Sequence, residues 1–297
     1  GERAAFGLAH AALSREHPGL IYCSITGYGH SGPDKDLPGY DFIIQGRGGV
    51  MGITGEPDGE PMKVGVAVTD VTAGLFAANA IQAALLGRVR TGRGQAIDIS
   101  LLDVQVAWLA NVASNHLISG DAPKRYGNAH PSIVPYQSFR AADGPFCLAV
   151  GNDAQWGRLC SELGRPEFAN DKRFDTNPSR VQNREAVVSI LESIFRMRDR
   201  AYWLSRLRSA GVPCGPIQSV DQVFNDEQVL AREMLVTVPH PTAGQLPVVG
   251  SPFKFSESRF ESRLAPPLLG QHTDEILMEL LECSREEMEK YRNDGAI

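Results

Sequence analysis

The chain has 297 residues, 42% hydrophobic and 22% charged, with a formal net charge of −6. A chain of this length buries a substantial core and suffices for two domains. The acidic balance argues against a nucleic-acid-binding surface but leaves room for a local basic pocket. No uninterrupted apolar stretch approaches ~18 residues, so the reading is a soluble protein without a membrane span.

Five cysteines, Cys23, Cys147, Cys160, Cys214 and Cys283, are scattered without a C-x-x-C pair or a His-flanked metal spacing. No metal site is expected, and an odd, dispersed count fits a reducing compartment: the cytoplasm, or the mitochondrial matrix in a eukaryote. The chain begins Gly1-Glu2-Arg3 without a methionine and runs at once into an apparent helix ending near His17-Pro18. That beginning reads as entry into the middle of a fold, with an N-terminal portion missing.

Leu20 to Ile25 reads as a buried strand, and Gly27 to Asp34, punctuated by glycine and proline, as a loop. Tyr40 to Met51 is helical at first and ends at Gly48-Gly49. A turn at Gly55 to Gly59 leads to an expected strand Val64–Val68, then Asp70, then a long helix to about Arg88. The basic turn Arg90-Thr91-Gly92-Arg93-Gly94-Gln95 feeds a strand Ala96–Ile99. A helix from about Ser100 carries Leu101, Val104, Ala107, Trp108 and Val112 at three-to-four spacing. Alternating strands and helices predict an α/β layer with a largely parallel sheet.

Between Asp121 and Pro135 the pattern breaks into a crossover or active-site loop. Strands at Tyr136–Phe139 and Phe146–Val150 follow, joined by Asp143-Gly144. Helices come next around Ala154–Leu163, Asn183–Met197 and Tyr202–Ala210. Val236–Val238 and Gln245–Val249 read as a β-pair, and Thr273 to Tyr291 as one amphipathic helix. The expected division is a large α/β domain over 1–118, a linker and active-site loop over 119–134, a small domain over 135–220, and a C-terminal segment over 221–297.

Asp70 stands out in this pattern. It closes an apolar run and opens a helix, where unpaired N–H groups and the helix dipole would favour its ionised form and allow a nucleophilic role. On position alone, an aspartate there is ordinarily a helix cap.

Several segments around it occur in a fixed order. They are Ser24-Ile25-Thr26-Gly27-Tyr28-Gly29-His30-Ser31-Gly32-Pro33, Gly39-Tyr40-Asp41, Thr54-Gly55, Val68-Thr69-Asp70-Val71-Thr72-Ala73-Gly74, and the basic turn at Arg90. This order and spacing resembles the family III (CaiB/BaiF) CoA-transferases, the formyl-CoA transferase and carnitine CoA-transferase group. Val212-Pro213-Cys214-Gly215-Pro216 and Pro267-Leu268-Leu269-Gly270-Gln271-His272-Thr273 resemble that family's C-terminal signatures. Within the family, the Arg125 to Gln137 segment most resembles succinyl-CoA:glutarate, or dicarboxylate, CoA-transferases.

The resemblance implies a Rossmann-like large domain with a parallel sheet plus a smaller α+β domain. It also implies return of the C-terminal segment to the large domain, and homodimers of interlocked chains. The nucleophilic aspartate falls on Asp70. Tyr40 would lie over the acyl group, while Asp41 and Gln45 would orient the nucleophile or CoA. Gly127, Asn128 and His130 fall in a loop matching a glycine-rich lid, although this sequence lacks that run of glycines. The substrates would be an acyl-CoA and a carboxylic acid, with no cofactor beyond coenzyme A as substrate. Backbone N–H groups beside Asp70 or in the Gly127–His130 loop would stabilise the anionic intermediates.

Two alternatives remain at this level. An α-methylacyl-CoA racemase would need a His/Asp proton-transfer pair, yet Tyr40 stands in Gly39-Tyr40-Asp41 where the histidine would be, and a tyrosine of pKa ~10 is a poor base at neutral pH. A non-catalytic CoA-binding fragment is the other reading.

Overall fold

The computed structural model describes residues 6–258 and 264–297. Gly1-Glu2-Arg3 lies outside them, and the expected first helix is seen over His10–Glu16 (α1). It leads to β1 (Tyr22–Thr26), which runs parallel to β2 (Ala96–Ser100) with Tyr22 opposite Ala96 and Thr26 opposite Ser100. Glycine at 94 permits the approach, because a Cβ there would collide with the Leu20 carbonyl. Between the two strands lie α2 (Asp41–Arg47), the short α3 (Val50–Ile53) and the 24-residue α4 (Val68–Thr91).

The helix expected from Tyr40 ends at Gly48-Gly49 as its glycines indicated, and a separate short helix follows it. Gly49, at φ 89°, takes a left-handed conformation that separates the two. The strand expected at Val64–Val68 is absent. Val68 already belongs to α4, and the stretch before it bonds to the side chain of Gln45 rather than to a neighbouring strand. The chain divides into two units, Gly1–Pro216 and Ile217–Ile297.

In the first unit α4 packs against β1, β2, α2 and α5 (Leu101–Trp108). Its buried face is made of Thr69, Ala73, Ala77 and Ala84, small side chains at helical spacing. α4 stops at Gly92, φ 66°, whose N–H donates to the Arg88 carbonyl. By length and composition α4 would reach across a bilayer. Its contacts make it instead the connecting helix of a β-α-β unit. Ser100 caps α5, its hydroxyl accepting from the Asp103 N–H at 3.2 Å, and α6 (Ala110–Ser119) follows.

The remainder of the unit is an antiparallel sheet under helices. β3 (Tyr136–Arg140) pairs with β4 (Pro145–Ala149), and β4 with β5 (Cys214–Pro216), so the parallel component among the described strands is the β1–β2 pair alone. The helices α7 (Asp153–Glu162), α8 (Asn177–Gln182), α9 (Arg184–Phe195) and α10 (Arg200–Ser209) cover it. Phe195 lies at the centre, its ring 5.2 Å from Phe139, 5.0 Å from Phe146 and 5.2 Å from Trp203. Burying a side chain of this size stabilises by about 1.5–3 kcal/mol.

The second unit holds α11 (Val220–Val223), α12 (Glu227–Ala231) and the antiparallel pair β6 (Leu235–His240) and β7 (Gly244–Val249). The single helix expected to its end is two, α13 (Thr273–Leu281) and α14 (Arg285–Asn293). Glu282 turns left-handed at φ 52°, and Ser284 with Glu287 forms a reciprocal capping box that starts a new helix.

Candidate active site

The site begins at a backbone crossing. A Cβ on Gly27 would lie 2.6 Å from the Gly39 Cα, so only glycines let the loop after β1 touch the segment entering α2. That contact brings the first turn of α2 to the head of α4. Asp41 Oδ1 accepts a hydrogen bond from the Thr69 N–H at 2.8 Å, and Oδ2 accepts from Gln45 Nε2 at 2.6 Å. One helical turn further on, the buried Gln45 accepts from the Val64 N–H at 2.8 Å. Asp41 and Gln45 thus hold the chain from 64 to 69 and cap α4 from another helix. Ala67, at the N-cap position, offers no side chain for the task.

Asp70 sits in the first turn of α4, two residues inside its start, and is not the cap that its sequence position suggested. Among the described residues its carboxylate accepts no hydrogen bond and its side chain is largely exposed. The dipole of α4 was expected to favour its charged form, but the opposite shift results. Partial burial of the carboxyl, and after it the negative charge of Asp41, raise the Asp70 pKa above its ordinary value. Its own N–H likewise has no acceptor among the described residues, whereas those of Val68, Thr69 and Val71 are taken by Val66, Asp41 and Ala67.

Tyr40 precedes Asp41 and is 74% exposed. Its carbonyl accepts from the Ile44 N–H at 3.0 Å and opens α2. Its phenol forms no hydrogen bond among the described residues.

Gly127, Asn128 and His130 form a second cluster. Gly127, φ 58°, donates its N–H to the Gly55 carbonyl at 3.0 Å, and Arg125 Nη2 donates to the Gly59 carbonyl at 2.6 Å. Asn128 Nδ2 donates to Ser138 Oγ at 3.2 Å. His130 Nδ1 accepts from the Ser132 N–H at 3.1 Å, which puts the proton of the neutral ring on Nε2. The loop is clamped from α8 and α9. Arg184 donates to the carbonyls of His130 and Pro131, Asn177 to that of Ser132, and the fully buried Arg180 to that of Val134. A cavity of about 630 Å³ has Gly127 in its wall along with His116, Lys124, Tyr126 and Ser132. Tyr40, Asp41, Gln45 and Asp70 do not line it, and no described hydrogen bond joins the two clusters.

Sequence reasoning passed over Thr69 and Gln105. The Thr69 hydroxyl donates to Gln105 Oε1 at 2.5 Å, and both residues are 1% exposed. The available signal was a glutamine four residues after Leu101, on the apolar face of α5. No group of three or more His, Cys, Asp or Glu side chains among the described residues is placed to hold a metal.

The profile of CoA-transferase family III matches residues 1–273. The chain belongs to this family. It is 43% identical over its whole length to a succinyl-CoA:glutarate CoA-transferase of Mus musculus and covers 68% of that protein. It is 46% identical over 277 residues, 93% of the chain, to a succinate–glutarate CoA-transferase of Agrobacterium fabrum, of which it covers 69%. The chain thus spans about two thirds of the length of these relatives. Among solved structures, a CaiB/BaiF family protein from Brucella suis superposes with a TM-score of 0.80 at 46% identity, over 94% of this chain and 73% of that one.

Proposed function

We propose that this chain carries the nucleophile of an enzyme that moves CoA from succinyl-CoA to a dicarboxylate such as glutarate, with Asp70 as the covalent carrier. One observation carries the reading: Asp41 caps α4, which leaves the Asp70 carboxylate unpartnered at the helix head. Relatives at 43% and 46% identity that are named for the succinyl and glutarate pair support the substrate class.

The chemistry follows from a free carboxylate. Asp70 attacks the thioester carbonyl of the donor and expels CoA thiolate, leaving a mixed anhydride. The thiolate then attacks the Asp70 carbonyl, the first acid departs, and an aspartyl-CoA thioester remains. The acceptor carboxylate attacks that thioester and releases thiolate again, which takes the new acyl group and frees Asp70. Acyl activation is retained at every step, as thioester or anhydride, so no cofactor beyond coenzyme A is called for. The anionic intermediates need hydrogen-bond donors. Among the described residues the Asp70 N–H at the head of α4 and the Asn128 N–H in the loop have no acceptor, while the N–H groups of Gly127, Ala129 and His130 are engaged. In this reading Tyr40 covers the acyl group, Asp41 and Gln45 orient the nucleophile, and Gly127, Asn128 and His130 contact substrate.

The same reading includes a cytoplasmic or mitochondrial-matrix enzyme. It includes a homodimer, consistent with the exposed apolar residues Val71, Leu75, Leu86 and Val89 on α4. Incubating the native protein with succinyl-CoA and a panel of acids is expected to give new thioesters only when an acceptor is present. Hydrolysis without acceptor dependence would refute transfer.

A further inference from the structure

We propose that Thr69 and Gln105 are positioning residues that hold Asp70 in its attack geometry through a contact independent of Asp41. The inference rests on Asp70 being the nucleophile. Thr69 immediately precedes Asp70 and both of its hydrogen-bond donors are fixed: the N–H on Asp41 at 2.8 Å, the hydroxyl on Gln105 Oε1 at 2.5 Å. Among the described residues the Asp70 carboxylate makes no hydrogen bond or ion pair that would hold it, so its position follows from the backbone at Thr69.

Stability alone does not account for the pair. Two polar side chains, each 1% exposed, occupy a place where apolar side chains of like volume would serve, and among the described residues buried Gln105 Nε2 has no partner. Room has also been kept for Gln105. It lies over Gly48, where a Cβ would stand 2.8 Å from the Gln105 Cβ and closer still to its Cγ. The contact therefore ties the head of α4 to α5 and to the end of α2, the helix that also supplies Asp41 and Gln45. An attacking carboxylate displaced by about 1 Å loses on the order of a hundredfold in rate.

The test uses the native protein with Thr69→Val, Thr69→Ser, Gln105→Leu and the Thr69→Val/Gln105→Leu double variant. We expect kcat to fall roughly 10- to 100-fold in Thr69→Val and Gln105→Leu, with KM for both substrates within about twofold of wild type. Thr69→Ser, which keeps the hydroxyl, is expected to retain activity, and the double variant to be no slower than the slower single. Hydroxylamine trapping at Asp70 during turnover should slow in parallel. Wild-type kcat in soluble Gln105→Leu, whatever its Tm, would overturn the proposal, as would equal loss in Thr69→Ser and Thr69→Val. If Asp70 is labelled at an unchanged rate in the variants, only the positioning role fails. If Asp70 is not labelled in wild type, the nucleophile assignment itself fails.

Discussion

The carboxylate of Asp41 binds the head of α4 through the Thr69 N–H, and its charge helps to raise the pKa of Asp70 one residue further on. Capping and chemistry are thereby divided between two aspartates from different helices.

The first consequence concerns stability. A capping aspartate replaced by alanine costs about 0.5–2 kcal/mol, but Asp70 makes no capping bond, so Asp70→Ala is expected to change stability by less than about 0.5 kcal/mol. The pH dependence has a definite sign. The folded-state pKa lies above the unfolded one, so ionised Asp70 opposes folding, and that penalty appears as pH rises from the unfolded pKa through the folded one. Asp70→Asn should therefore match wild type at pH below both values and equal or exceed it in Tm at pH 7. A clear loss of Tm at pH 7 would restore Asp70 to a capping role.

Asp41→Asn separates charge from hydrogen bonding. The amide oxygen can still accept from Thr69, but its NH₂ faces Gln45 Nε2, a donor opposed to a donor. A stability loss of about 1 kcal/mol is expected. Removal of the like charge should lower the Asp70 pKa, so the acid limb of the kcat/KM profile moves to lower pH. An unmoved limb would show that Asp41 does not influence Asp70.

The Gly27–Gly39 crossing predicts a structural effect felt at the site. Gly39→Ala puts a methyl group against the Gly27 backbone, which has no side chain to yield. Denaturant titration should report a loss of about 1–3 kcal/mol, the usual cost of overpacking. Wild-type stability would mean the two segments can separate freely.

The clamp on the His130 loop depends most on Arg180. Its Nε and Nη1 serve the carbonyls of Val134 and Phe174, and Nη2 pairs with the half-exposed Asp153. Arg180→Met orphans two carbonyls at roughly 1–3 kcal/mol each, while Asp153 stays hydrated. A loss of about 2–6 kcal/mol is expected, readable in urea titration, with little change for the exposed pair Arg165–Glu167 used as a control.

Much of this was legible in the sequence because it is local. Periodicity marked β1, β2, α4, α5 and the sheet around Phe146, and turn residues marked Asp143-Gly144. The errors arose where a distant side chain decided the outcome. Val64–Val68 has strand composition, yet the Val64 N–H goes to Gln45 and the Val68 N–H to the Val66 carbonyl instead of to a strand. The charge state of Asp70 answers less to its own helix than to partial burial of the carboxyl and, after it, to Asp41 from α2. Gln105 lay hidden in an apolar stripe because its partner, Thr69, is 36 residues away.

Covalent trapping tests the central claim most directly. The native protein is incubated with succinyl-CoA, quenched with hydroxylamine, digested and mapped by mass. Attack of hydroxylamine on an activated side-chain acyl group should leave a hydroxamate on Asp70, and Asp70→Asn should be unmarked and inactive. A label on Asp41 or Asp153, or near-normal turnover by Asp70→Asn, would contradict the assignment.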